Sequence, residues 1–126
     1  MSELARIEVA SRGRQALVRV HGEIDLSNAR DLSAAIEGAV RNDTPTLVID
    51  LTDATYLDST GVQLLFILAE RLRTRRHELR LIVPKEAPIR AVLELTGLAS
   101  IVSMEPSFDP GASEDGRPDA EAGTAG

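Results

Sequence analysis

The sequence predicts an α/β fold: a mixed but mostly parallel sheet with helices packed on it, in the order β-β-α-β-α-β-α-β. Three observations carry this reading. Thr46 to Leu51 is an almost continuous apolar run, the pattern of a strand buried on both faces. Strand-like and helix-like periods alternate from there onwards. Hydrophobic residues make up 43% of the 126-residue chain and aromatics only 2%, so one aliphatic core must hold the layers together.

The elements follow in order. Leu4 to Ala10 alternates as a strand, with Ile7 and Val9 on one face. Arg12-Gly13-Arg14 turns the chain, and Gln15 to His21 returns as the second strand of a hairpin. Gly22-Glu23-Ile24-Asp25 reads as a loop. A helix from Ser27 to Val40 places Ala29, Leu32, Ile36 and Ala39 at helical spacing, and Ser27 or Asp25 can cap it. The segment 41–45, ending in Pro45, stops that helix.

After the apolar strand and a short polar loop, a second helix runs from Ser59 to Thr74. Val62, Leu65, Phe66, Ala69 and Leu72 share its core face. Ile67 points the other way and Leu64 lies off the stripe; either a neighbouring helix covers them or they form a partner-binding patch. Leu79 to Val83 is the next strand, ended by Pro84. Pro88 suits a first helical turn, Ile89, Val92 and Leu93 make a short amphipathic helix, and Gly97 caps it. Ile101-Val102 forms a last short strand. From Pro106 the composition turns to Pro, Gly, Ala, Ser, Asp and Glu, which cannot bury enough surface to offset ordering entropy. Residues 1–105 are therefore expected to form one domain and 106–126 a disordered acidic tail.

Composition removes several function classes. The net charge is −6, which argues against a nucleic-acid footprint. No cysteine is present, and His21 and His77 are isolated, so neither a disulfide nor a metal site is expected. The N-terminus lacks a signal-peptide apolar segment and no apolar stretch is long enough to span a bilayer, so a cytoplasmic protein is expected. The arginines 71, 73, 75, 76 and 80 read as a solvated helix end.

The chemistry concentrates in Asp58-Ser59-Thr60-Gly61, at the start of the second helix. First-turn N–H groups have no intrahelical acceptor, and that end of a helix favours negative charge. Phosphorylation of Ser59 would suit the fold and add roughly −1.5 to −2 charges to its surface. Capping of the helix by Asp58 is the plainer reading of the same residues, and the two can hold together. Thr60 is a second candidate acceptor. In a parallel sheet, the Gly22–Asp25 and Asp53–Asp58 loops both leave carboxyl ends of strands and should lie side by side.

With these residues in place the chain resembles the STAS family, specifically bacterial anti-anti-sigma factors. The resemblance rests on Gly22-Glu23-Ile24-Asp25, Leu57-Asp58-Ser59-Thr60-Gly61 and Leu95-Thr96-Gly97-Leu98, and covers roughly residues 4 to 105. It implies the STAS fold. It implies that Ser59 is phosphorylated by an ATP-dependent anti-sigma factor serine/threonine kinase, and that the unphosphorylated form binds this kinase and frees a sigma factor. A metal-dependent protein phosphatase restores the hydroxyl. Asp25 matches a loop acid near the phosphorylation site, and Gly22, Glu23, Asp25, Asp58, Thr60, Gly61 and Val62 are the implied partner-binding residues. The free protein is expected to be a monomer without a cofactor. The alternative is a STAS subunit of a membrane transport complex, bound to an ATPase without a phosphoswitch.

An enzyme fits poorly, and no catalytic residue is expected. Ser59 lacks the G-x-S-x-G setting of a hydrolase nucleophile, Asp50 stands without the clustered acids of a phospho-aspartate receiver, and no P-loop is present.

Overall fold

Gly22 adopts a left-handed φ of 94° near the end of the second strand, where its pairing with the third shifts register. The computed structural model describes residues 5–12, 14–40 and 45–107. The expected tail lies outside the described residues, apart from its first two. The strands are β1 (Ala5–Arg12), β2 (Gln15–Ile24), β3 (Thr46–Leu57), β4 (Glu78–Ile82) and β5 (Ser103–Glu105). The helices are α1 (Ala29–Ala39), α2 (Ser59–Thr74) and α3 (Pro88–Leu95), followed by a 3-10 turn, Leu98–Ser100. The observed order is the predicted one.

The strands lie side by side in chain order, β1 antiparallel to β2 and the rest parallel. Successive crossovers in one direction, each right-handed, must leave their helices on one side of the sheet. One core cluster accordingly joins Leu32 and Ile36 of α1, Leu65 and Leu68 of α2 and Leu93 of α3 to Val18, Val20, Leu47, Ile49 and Leu81 of the sheet. Its buried members are all aliphatic, and Phe66 packs against them partly buried.

The other sheet face carries charge in pairs. Arg19 Nε donates to Asp50 Oδ2 at 3.3 Å, so Asp50, buried in β3, has a partner. Arg80 donates to both carboxylate oxygens of Glu105 at 2.8 and 2.6 Å. Arg80 is thus buried in β4 and does not belong to a solvated helix end. Arg71 does reach out, to Glu37 of α1, and Arg73 pairs with Glu70.

Beyond shifts of one or two residues in β1, β4 and the end of α1, four boundaries differ from the sequence reading. β2 continues through Gly22-Glu23-Ile24 and β3 through Leu57, where loops are expected. The two strands stay paired through register shifts, with Gly22 opposite Ala54, Glu23 opposite Tyr56 and Ile24 opposite Leu57. In this stretch the buried residues are Leu51, Ala54 and Leu57, a spacing of three that hides the strand period of two. α1 starts at Ala29, not Ser27, because the chain first makes a turn over 26–28. The last strand is Ser103–Glu105, not Ile101-Val102: Glu105 is held by Arg80 and by Val83 N–H at 2.7 Å, while Ile101 is exposed. Leu64 is buried, because α1 packs beside α2 and widens the core stripe; Ile67 stays 41% exposed.

The Arg80 hydrogen bonds hold the Glu105 carboxyl below its ordinary pKa, against a smaller opposing effect of burial. A lowered pKa means that the ionised form favours the fold. Its stabilisation is complete above the ordinary carboxylate range and is lost as pH falls through the lowered value. Glu105→Gln should therefore cost about 1–3 kcal/mol near neutral pH. Urea denaturation should show that difference shrinking towards zero in acid.

Candidate functional site

The carboxyl ends of β2 and β3 meet the start of α2 at one corner. Asp58 organises it. The residue is extended and N-caps α2, its Oδ1 accepting from Gly61 N–H at 3.0 Å. Its Oδ2 accepts from Leu26 N–H at 3.3 Å, across to the β2–α1 connection. Its own N–H donates to Ile24 O at 3.2 Å, so β3 leaves the sheet still attached to β2. The cap anticipated for Asp58 is present, and it also ties the two connections together.

Gly61 is favoured here by close contact, not by φ. A Cβ on it would stand 2.4 Å from Leu57 Cδ1, 3.0 Å from Ile24 Cγ2 and 3.2 Å from Ile24 O. The first turn of α2 thus sits directly on the ends of β2 and β3. Ser59, the first helical residue, is exposed; Thr60 and Val62 are half-buried.

The β2–α1 connection has its own lock. Asp25 Oδ1 accepts from Ser27 N–H at 3.0 Å and Ser27 Oγ–H at 2.6 Å, closing a local turn. Neither Asp25 nor Ser27 caps α1 by side chain, since the N-cap position is Asn28. Asn28 is buried and spans the corner: its Oδ1 accepts from Asp25 N–H at 3.1 Å and its Nδ2 donates to Glu23 O at 2.9 Å. The sequence reading missed Asn28. The available signal was its place directly before Ala29, where the apolar stripe of α1 begins.

The structure therefore brings together Gly22, Glu23, Asp25, Asp58, Ser59, Thr60, Gly61 and Val62, all at or beside one corner of the sheet. Gly22 supplies the bulge, Gly61 the close approach, and Glu23, Asp25 and Asp58 the negative charge. Two exposed apolar residues lie close to the corner: Leu26, 76% exposed, in the β2–α1 connection, and Ile67 on α2. Among the described residues no group of acids, histidines or cysteines is arranged to hold a metal ion, and no helix is long and apolar enough to cross a membrane.

A single sheet wound one way, with an exposed hydroxyl at the first turn of its second helix, defines the class. Residues 6–110 match the STAS domain, and the chain belongs to that family. It is 33% identical over 100 residues to an anti-sigma-B factor antagonist of Listeria monocytogenes, covering 79% of this chain and 87% of that one. It is 35% identical over 66 residues to the anti-sigma-F factor antagonist RsfB of Mycobacterium tuberculosis, covering 52% and 54%. Among solved structures, an anti-sigma factor antagonist from Mycobacterium paratuberculosis superposes with a TM-score of 0.74 at 30% identity, over 83% of this chain and 88% of that one.

Two substitutions test the corner. Asp58→Ala should cost roughly 0.5–2 kcal/mol of stability. It should also speed amide hydrogen exchange at Gly61 and Leu26 together, because one carboxylate holds both. Gly61→Ala should lower stability by about 1–3 kcal/mol through overpacking, read as a fall in thermal midpoint.

Proposed function

We propose that this protein is an anti-sigma factor antagonist switched by phosphorylation at Ser59. Unphosphorylated, it binds an anti-sigma factor serine kinase in the cytoplasm and frees a sigma factor. Phosphorylated, it lets the kinase go, and a metal-dependent phosphatase resets it. It acts by stoichiometric binding, without turnover of its own. The names of its relatives support the antagonist class.

The observation that carries the proposal is the position of Ser59. Its hydroxyl is exposed on a helix start whose cap is already occupied by Asp58. A kinase can reach the hydroxyl without unfolding anything. The added phosphate gains from the helix end but stands next to the Asp58 carboxylate, with Asp25 on the neighbouring connection. Within a desolvated interface that charge has no partner. An unpaired buried charge costs roughly 2–5 kcal/mol, which is about 30- to several-thousand-fold in affinity. Electrostatic exclusion of that size is a sufficient switch with no refolding.

Gly22, Glu23, Asp25, Asp58, Thr60, Gly61 and Val62 serve the partner surface in this proposal. Gly22 and Gly61 act through backbone shape, and the exposed or half-buried acids act by contact.

Incubation with the cognate kinase and ATP should add the mass of one phosphate, and Ser59→Ala should abolish the addition. Ser59→Ala should bind the kinase constitutively, while Ser59→Asp should bind more weakly. Backbone NMR shifts should change at residues 22–28 and 54–62 on phosphorylation and stay fixed across β1, β4 and α3. Modification elsewhere in Ser59→Ala, or shifts spread through the sheet, would reject the proposal.

A further inference from the structure

The sheet has two edges, and they differ. β5 is three residues long, whereas β1 runs for eight with one side of its backbone unpaired. A long open edge is a template for another strand. The β1–β2 register sorts its side chains between the two faces. Ile7 and Val9 stand opposite Val20 and Val18 and so share the helix side, yet Val9 stays 53% exposed at the rim of that layer. Arg6 and Glu8 stand opposite His21 and Arg19, on the other face. Glu8 reaches Arg19 and His21 only at 3.7 and 3.5 Å, and Arg6 has no ion-pair partner among the described residues.

We infer that β1 pairs antiparallel with β1 of a second copy, about a two-fold axis through Ile7, so that two sheets become one. This goes beyond the antagonist reading and does not depend on it; it replaces the monomer expected for the free chain. Charge complementarity selects the axis. Directly opposed residues of an antiparallel ladder share a face, so the axis must pass through a residue. With the axis at Ile7, Arg6 stands opposite Glu8 of the second copy, and Glu8 opposite its Arg6. On the helix side Ile7 meets Ile7 and Val9 meets Ala5, so the exposed apolar edge is covered by its own kind.

The neighbouring registers fail on the same residues. An axis at Arg6 or at Glu8 sets a charge against itself, and one at Val9 sets Arg6 against Arg12. An axis at Ala10 drops Ile7 from the strand pairing and puts Val9 opposite Ser11. Charge on an edge strand ordinarily guards it against pairing; here it guards against every register but one. β5 is too short to receive β1, so the contact closes as a dimer and does not propagate. Net charge does not forbid it. Of the −6, the segment from Asp109 to Glu121 carries −4, five acids against Arg117, and the rest of the chain only −2.

The test uses the full chain, which contains no cysteine. Single cysteines are placed at Ala5, Ile7, Val9 and, as an exposed position on α3, Leu95, and disulfide formation is followed in a glutathione buffer. Opposed Cα atoms of an antiparallel ladder lie about 4.5–5.5 Å apart, within reach of a disulfide. Ile7→Cys should therefore cross-link to itself. Ala5→Cys and Val9→Cys each stand about 13 Å along the ladder from their own copies; they should cross-link when mixed and not alone. Leu95→Cys should not cross-link. Sedimentation velocity of the unaltered chain should show a monomer–dimer equilibrium. Arg6→Glu turns both attractive pairs into like charges and should weaken it about tenfold or more. Melting curves accompany each variant, and Arg6→Ala, expected to weaken the dimer about threefold, stands in if Arg6→Glu melts early. An unaltered chain that sediments as a monomer at millimolar concentration overturns the inference. So does a dimer that the Arg6 variant leaves unchanged, or one in which Ile7→Cys fails to cross-link or Val9→Cys alone cross-links as fast. None of these outcomes bears on the antagonist reading.

Discussion

The corner of this protein depends on one carboxylate with two jobs. Asp58 spends one oxygen on the cap of α2 and the other on the backbone of the β2–α1 connection. It adds a side-chain link to the β2–β3 pairing and the Asp58 N–H to Ile24 O bond that already join these two segments. With it, the residues on either side of Ser59 and those around Asp25 form one surface. Fixed backbone at this point matters because Ser59 itself is exposed. In the proposed switch the hydroxyl is modified above a frame in which Gly61 is pressed against Leu57 and Ile24.

The sheet explains why the surface lies where it does. Sequential parallel strands, wound in one direction, put every helix on one face and bring α1 beside α2. Both helices then begin at the same end of the sheet, beyond the carboxyl ends of β2 and β3, and Leu26 and Thr60 line one groove. The Glu37–Arg71 pair closes the far end of the helix pair, and the near end stays open. Two of the exposed large apolar residues, Leu26 and Ile67, thereby flank the open end.

Element type and order were legible in the sequence because their periods are clean. The apolar run at Thr46 to Leu51, the helix from Ser59 to Thr74 and the Pro88 start of α3 all stand as read. What failed did so where local pattern and tertiary pairing disagree. Gly22 and the polar residues from Thr52 to Tyr56 look like loops, yet inter-strand bonding carries β2 and β3 onward through bulges. Asp25 and Ser27 look like caps, yet they bond to each other and leave Asn28 at the cap position. Arg80 looks like a surface charge, but its partner Glu105 is 25 residues away and no local rule pairs them. The corner was readable through Asp58, Ser59 and Gly61. Asn28 could have been read as the cap from its place before Ala29, whereas the support at Leu26 could not, because its bond to Asp58 exists only after the two connections meet.

The central claim is that charge at one exposed hydroxyl, on an otherwise unchanged frame, decides association. The most direct measurement is a calorimetric titration of the purified kinase with unmodified chain and with chain phosphorylated only at Ser59, in the same buffer. The account predicts tight stoichiometric binding for the first and at least a roughly thirtyfold weaker isotherm for the second. Equal affinities for the two forms would contradict it.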